Sequence, residues 1–298
     1  MALGVPAGVP TIVGIPFDAY SSYLRGAAEA PAKIREALGC EASNQWTELG
    51  VDLGVAGIYE DAGDVAFEDS PTSRKGGEKW GTPETLRLRS GQARGTPELG
   101  AFLTIEKTVD GLIAQGKRPV ALGGDHSITY PIVKAFARHY HELTIFHFDA
   151  HPDLYDEFEG NRLSHACPFA RIMEAGLAKR LVQVGIRTMV GHQREQAERF
   201  GVEVVEMRSL PAHDRLQAAG PVYISFDMDV LDPAFAPGVS HREPGGMSVR
   251  EAIAHLHAIQ GEIVGADVVE FNPVRDAGGV TATVTAKIVK ETLGKMLA

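Results

Sequence analysis

The chain has little cysteine and no long apolar run. Its 298 residues include two cysteines, Cys40 and Cys167, far apart in the sequence. This count excludes a scaffold held by several disulfides and fits a reducing compartment. The amino-terminal segment lacks the charged and apolar stretches of a secretory signal, and no window approaches the ~18 apolar residues of a membrane span. We therefore expect a cytoplasmic protein with no membrane partner, or an organellar one if a transit peptide has been removed.

Positive charge is also scarce. The sequence has 29 lysines and arginines against 39 acidic residues, which gives a formal net charge of −10. An acidic surface argues against a nucleic-acid partner. Hydrophobic residues make up 44% of the chain, enough for one large α/β domain or two ordinary ones.

Short apolar runs rich in β-branched residues predict strands that are buried on both faces. There are seven, at 9–17, 118–124, 143–150, 180–187, 202–207, 221–229 and 262–271. Six stretches with helical period lie among them, at 31–38, 98–115, 128–140, 192–200, 248–259 and 282–297. Ser248 and Glu251 have the spacing of a capping box. This alternation predicts an α/β fold, with a parallel sheet covered by helices on both faces.

Residues 60–98 break the pattern. They are rich in glycine, proline, serine, threonine and charge, which indicates an irregular surface excursion with a short helix near 82–88. A domain linker is the alternative, but residues 1–59 are too few for an independent α/β domain. We predict a single domain over residues 1–298.

Acidic and histidine residues stand at the ends of four predicted strands. In an open parallel sheet the carboxyl ends of the strands share one edge, where ligands bind. We therefore expect these side chains to lie together. They are His126, Asp149, His151, Asp153, Asp227, Asp229 and Glu270.

The first six of these residues are oxygen and imidazole ligands that suit divalent cations. The alternating spacing of Asp149, His151 and Asp153 points all three to one side of an extended backbone, and the same holds for Asp227 and Asp229. No single positive charge could neutralise so many carboxylates, whereas a pair of divalent cations could. Because a two-metal site makes hydroxide at neutral pH, the sequence predicts metal-assisted hydrolysis.

Four sequence blocks resemble the signatures of the ureohydrolase superfamily, which comprises arginase, agmatinase and related guanidino-acid hydrolases. The blocks are LGGDHS (122–127), FDAHPDLYD (148–156), SFDMDVLDPAFAPG (225–238) and VEFNP (269–273). The stretches at 21–36, 158–176 and 236–248 look most like the plant-type arginases. The resemblance spans nearly the whole chain and implies a three-layer α/β/α fold with a mostly parallel central sheet.

The resemblance also implies a dinuclear manganese centre, in which nickel or cobalt could take the place of manganese. Its ligands are implied in three pairs: His126 and Asp153 on one metal, His151 and Asp229 on the other, and Asp149 and Asp227 bridging the two.

Three residues receive catalytic roles from the same resemblance. Glu270 would form an ion pair with the substrate guanidinium, and Asp153 would hydrogen-bond the attacking hydroxide. His165 matches the histidine proton shuttle, since an imidazole can move a proton near neutral pH. The products would be urea and a primary amine.

The far end of the substrate distinguishes one guanidino compound from another. L-Arginine presents a carboxylate and an ammonium, agmatine only an ammonium, and guanidino acids only a carboxylate. Asn161 and Ser164 could donate hydrogen bonds to a carboxylate, and Arg242 could hold one bidentately. His241, Arg242 and Glu243 together offer mixed charge.

The plant-type resemblance favours hydrolysis of L-arginine to urea and L-ornithine. The alternative is an agmatinase or a 4-guanidinobutyrate-type hydrolase. A single-zinc deacetylase of related fold and a non-catalytic protein are further alternatives, against which the full set of carboxylates argues. The resemblance also suggests a homo-oligomer, either a trimer or a hexamer.

Overall fold

A computed structural model describes residues 8–67 and 97–298, and in these ranges eight strands form one sheet. The strands are β1 (Pro10–Gly14), β2 (Glu60–Asp64), β3 (Arg118–Leu122), β4 (Thr144–Phe148), β5 (Arg180–Ile186), β6 (Glu203–Glu206), β7 (Gln217–Asp227) and β8 (Gln260–Val269). The order across the sheet is β2-β1-β3-β8-β7-β4-β5-β6, and each neighbouring pair is parallel. The predicted parallel sheet is confirmed, and seven of the strands coincide with predicted apolar runs.

Helices cover both faces of this sheet. Within the described ranges they are α1 (Ala30–Leu38), α2 (Pro97–Ala114), α3 (Thr129–Phe136), α4 (Pro168–Glu174), α5 (Gly191–Phe200), α6 (Val249–Ala258) and α7 (Val280–Leu297). Helix α7 packs against α1 and α6 on one face, and α2, α3, α4 and α5 follow one another on the other. Successive side chains of a strand point to opposite faces of the sheet. In β1, Ile12 packs in the core on one face and Val13 in the core on the other. The three-layer α/β/α prediction is thus confirmed.

The start of α6 shows the predicted capping box. The Ser248 hydroxyl accepts a hydrogen bond from the Glu251 backbone N–H at 3.2 Å. The Glu251 carboxylate in turn accepts one from the Ser248 backbone N–H at 2.8 Å. Two donors at the helix start are thereby satisfied.

Two elements differ from the sequence prediction. Strand β2 lies at the start of the segment 60–98, which we predicted to be irregular. Its five residues, EDAGD, are exposed and pair with β1 through the backbone. Helix α4 was not predicted either. The short helix predicted near 82–88 lies outside the described residues. Of the helices described, none combines the length and the apolar character needed to cross a membrane.

The strand order brings the predicted polar residues to one edge of the sheet. Strands β3, β8, β7 and β4 are consecutive neighbours in the sheet. They are the four strands whose ends carry the predicted polar residues. Because these strands run in the same direction, their carboxyl ends deliver those side chains to one place.

Candidate active site

A turn formed by two glycines positions His126 in the site. Gly123 and Gly124 follow β3 with φ values of +49° and +112°, where side chains are strained. A Cβ on Gly124 would also stand 2.5 Å from the carbonyl oxygen of Phe17. These two glycines therefore let the chain turn sharply after β3, and the imidazole of His126 that follows is buried.

Three carboxylates surround one nitrogen of His126. Its Nδ1 lies 3.0 Å from Asp153 Oδ2, 3.2 Å from Asp149 Oδ2 and 3.2 Å from Asp227 Oδ2. This buried nitrogen nevertheless makes no hydrogen bond of acceptable geometry. A ring nitrogen in such surroundings, with its lone pair free, is typical of a metal ligand.

The other nitrogen of His126 has a fixed partner. Nε2 lies 3.0 Å from Ser225 Oγ, and that hydroxyl donates to Asp267 Oδ1 at 2.7 Å. Since the hydroxyl proton is used on Asp267, Ser225 accepts the Nε2 proton. The ring is thereby held as the tautomer whose Nδ1 can bind a cation.

A second cluster adjoins the first through a shared residue. His151 Nδ1 lies 3.0 Å from Asp229 Oδ2 and 3.4 Å from Asp149 Oδ1. Asp149 therefore reaches both imidazoles, one with each carboxylate oxygen. Backbone N–H groups hold two of the acids in place: His151 donates to Asp149 at 2.6 Å, and Asp229 donates to Asp227 at 2.7 Å. Asp149 thus stands where a bridging ligand would be needed.

The electrostatics of these clusters favour bound cations. Burial, with the nearby carboxylates of Asp229 and Asp149, raises the pKa of Asp227 well above its usual value. Buried carboxylates at this spacing repel one another unless positive charge lies between them. Oxygen and imidazole donors are also those that divalent transition metals take. The six residues predicted as ligands therefore converge in an arrangement that fits a pair of divalent cations.

His147 belongs to the site and was not predicted to. Its Nε2 lies 2.8 Å from Asp149 Oδ2, and the side-chain amide of Gln183 donates to its Nδ1 at 3.1 Å. The amide at Nδ1 leaves the ring proton on Nε2, where it orients the Asp149 carboxylate. The ring stacks on Phe169 with centroids 3.9 Å apart. A signal existed in the sequence, because residues 147 and 149 face the same side of an extended strand.

Glu270 and His165 form a buried ion pair. Glu270 Oε1 lies 2.9 Å from His165 Nδ1 and also accepts the His126 backbone N–H at 2.8 Å. Burial alone would lower the pKa of His165, but the Glu270 carboxylate raises it to about 9. Burial would likewise raise the pKa of Glu270, yet the imidazole of His165 brings it below its usual value. Glu270 adopts φ +62°, a strained conformation for a long side chain.

A cleft of about 300 Å³ opens beside these clusters. Its lining includes the acids Asp153, Asp227, Asp229 and Glu270. It also includes the large, mainly apolar side chains of Tyr155, Phe158, Met189 and Val190. A small cationic molecule with an aliphatic chain would suit such a cleft.

The residues predicted to contact the far end of a substrate do not all line the cleft. His241 lines the cleft. Asn161, Ser164 and Arg242 are not among the described residues that line it. The Asn161 side chain accepts from Leu163 N–H in its own turn, Ser164 Oγ accepts from Ala166 N–H, and the exposed Arg242 donates to Pro237 O.

Comparisons with known proteins agree with this geometry. A family model described as the arginase family matches residues 10–294. The chain is 43% identical to "Arginase 1, mitochondrial" from Arabidopsis thaliana, over 99% of this chain and 83% of the relative. It is 32% identical to an agmatinase from Bacillus subtilis, over 95% of this chain and 90% of that protein. The solved structure of an arginase from Medicago truncatula, 41% identical, aligns with a TM-score of 0.83 over 99% of this chain and 89% of the other.

Proposed function

The chain belongs to the arginase family of hydrolases, and we propose that it hydrolyses the guanidinium group of L-arginine to urea and L-ornithine. The observation that carries this proposal is that the cleft lined by four of the six candidate ligands, His151, Asp153, Asp227 and Asp229, is also lined by the Glu270–His165 pair. Relatives named arginase, at 41–43% identity over 99% of this chain, support L-arginine as the substrate.

We propose manganese as the metal, with nickel or cobalt able to replace it. Each of the two sites would combine one imidazole, one terminal aspartate and both bridging aspartates. The ligands would be His126 and Asp153 at one site, His151 and Asp229 at the other, and Asp149 and Asp227 at both. When bound, such a pair of cations acidifies water and so supplies a nucleophile at neutral pH.

Glu270 would hold the guanidinium of the substrate. Its carboxylate is anchored by the His126 N–H and the His165 ring, so it stands in a fixed position on the cleft wall. A planar cation next to this carboxylate is both oriented and neutralised. Orientation of this kind lowers the barrier because the substrate is held in the reactive geometry before attack. Asp153, also on the wall, would hydrogen-bond the attacking oxygen.

His165 would deliver a proton to the leaving amine. The Ser22 backbone N–H donates to its Nε2 at 3.2 Å, and the Ser22 hydroxyl lies 2.8 Å from the same atom. In the neutral ring the proton therefore lies on Nδ1, toward Glu270, and the second proton, which makes the imidazolium, goes to Nε2, where the Ser22 hydroxyl can accept it. With a pKa raised to about 9, the imidazole holds a proton near neutral pH and can act as a general acid.

Agmatine hydrolysis is the second candidate. It is favoured by the lack of any lysine or arginine among the described residues that line the cleft, since a substrate carboxylate would meet neither an ammonium nor a guanidinium side chain there. Urea release from L-arginine, agmatine, 4-guanidinobutyrate and 3-guanidinopropionate, after loading with manganese or nickel, separates the candidates. We expect L-arginine to be the best substrate. Release from agmatine alone would replace the proposal, and release from none would refute it.

Assembly and location are further proposals. We propose a homo-oligomer, a trimer or hexamer, which light scattering coupled to size exclusion would measure. For location we propose the cytoplasm. Several relatives bear the word mitochondrial in their names, which makes an organelle the competing location. Microscopy of the tagged protein in its own cells would distinguish the two.

A further inference from the structure

The cleft carries one acid that the proposed chemistry does not use. Five of its lining residues are carboxylates. Asp153, Asp227 and Asp229 belong to the candidate metal ligands, and Glu270 would hold the guanidinium. The fifth, Glu243, has no part in either task. The described lining residues include no lysine or arginine, and the partner recorded for its carboxylate is the imidazole of His151.

Glu243 and Glu270 lie at opposite ends of a row of imidazoles. Glu243 Oε1 is 3.6 Å from His151 Nε2, and Glu270 Oε1 is 2.9 Å from His165 Nδ1. The ring of His241 contacts both histidines, with its centroid 5.9 Å from that of His151 and 5.4 Å from that of His165. The path of contacts from Glu243 to Glu270 therefore runs through three imidazoles, and an extended ligand with two charged ends could meet one glutamate at each end of it.

The backbone that carries Glu243 is tightly held. The Arg187 guanidinium donates to the Glu243 carbonyl from Nε at 3.0 Å and from Nη2 at 2.7 Å. Nη2 also donates to the Asp229 carbonyl at 2.6 Å. On the other side of Glu243, Gly245 N–H donates to Asp232 Oδ2 at 2.6 Å. A side chain on a fixed backbone contributes more to binding, because less freedom is lost when the ligand arrives.

We propose that Glu243 selects guanidino compounds whose far end bears a positive charge. This inference rests on the proposed function and specifies its substrate class. L-Arginine and agmatine both place an ammonium at the far end, and the Glu243 carboxylate, about one-third exposed, attracts it there. 4-Guanidinobutyrate presents only a carboxylate, which the same charge repels. Selection therefore combines attraction of the right substrate with rejection of the wrong one.

The neutral, isosteric variant Glu243→Gln tests this inference. We expect its kcat/KM to fall about 10- to 100-fold for agmatine and L-arginine, as for loss of a charged hydrogen bond. For 4-guanidinobutyrate it should stay the same or rise. The matched control is Glu198→Gln, which removes the same charge from an exposed position on α5 and should change neither value. An unchanged ratio of agmatine to 4-guanidinobutyrate in Glu243→Gln would overturn the proposal.

A different role for Glu243 would be to orient His151, whose Nε2 it approaches. In that case Glu243→Gln would lose bound metal and slow the hydrolysis of all substrates equally, and metal content measured by mass spectrometry would reveal the loss.

Calorimetry with two amines that are not hydrolysed, putrescine and 4-aminobutyrate, separates this inference from the proposed function. We expect Glu243→Gln to weaken binding of putrescine about tenfold or more and to spare 4-aminobutyrate. Equal effects on both amines would refute selection by charge, even if the wild-type protein released no urea.

Discussion

His165 Nδ1 lies 2.9 Å from Glu270 Oε1, in a pair that is almost entirely buried. Removal of these two groups from water disfavours their charges, whereas each favours the charge of the other. The second effect prevails at both partners, since the pKa of His165 rises to about 9 and that of Glu270 falls. The pair therefore adds a dependence on pH to the stability of the fold.

Glu270→Gln should destabilise the protein more at low pH than at high pH. A histidine whose pKa is raised in the folded state contributes stability that is complete below its unfolded value of about 6.5 and is lost as pH rises through about 9. Without the carboxylate, burial lowers the pKa of His165. The loss should be on the order of 2 to 3 kcal/mol greater at pH 6 than at pH 10, from urea unfolding in EDTA. The same loss at both pH values would contradict this account.

His165→Ala should slow turnover without releasing metal. The ring is not among the proposed ligands, and its hydrogen bonds are with Glu270 and Ser22. Loss of one acid–base group typically costs about 10²- to 10⁴-fold in rate. We expect kcat to fall by that amount, while metal content by mass spectrometry stays at the wild-type value. Lost metal, or unchanged kcat, would show that His165 is not the proton donor.

Asp149 and His147 should differ in how strongly they affect metal binding. Asp149 faces both imidazoles, so Asp149→Ala removes a ligand from each proposed site and should abolish metal binding and turnover. His147 contacts the same carboxylate without being a proposed ligand. His147→Phe keeps the stacking on Phe169 and should lower metal affinity about 10- to 100-fold, as loss of an outer partner does. Competition with a chelator measures the metal affinity of both variants. A variant that kept the wild-type affinity would show that the substituted residue does not contribute to metal binding.

The sequence predicted most of the sheet because buried strands have an apolar signature. Residues 144–148, TIFHF, are all buried, and a short apolar run of this kind predicts a strand. Strand β2 has no apolar side chain other than one alanine, so its existence depends on backbone pairing with β1, which composition cannot show. Helix α4, only seven residues long, is too short for its period to be recognised.

Site residues with a reactive or metal-binding functional group could be predicted from the sequence. Residues that only shape the cleft could not. His126, Asp149 and Asp229 stand at strand ends and were expected together. The apolar wall formed by Met189 and Val190 comes from the β5–α5 connection, and neither residue has a functional group that would mark it. Asn161 could bond a carboxylate by its chemistry, but it is engaged in its own turn, a preference of asparagine that competes with ligand binding.

Gly124→Ala tests whether the turn after β3 determines the position of His126. At φ +112° an alanine is strained, and its Cβ would stand 2.5 Å from the Phe17 carbonyl and 2.8 Å from that of Ile15. We expect a loss of at least 2 kcal/mol, roughly, in the free energy of unfolding, together with weaker metal binding because His126 moves. The matched control is Gly111→Ala within α2, where no atom apart from its chain neighbours and the backbone of its own helix lies within 4 Å of the added Cβ. There alanine should stabilise the helix by about 0.5–1 kcal/mol. Urea unfolding of both variants measures these changes. If Gly124→Ala were as stable as the wild type and kept full metal affinity, the glycine turn would not be what sets the site.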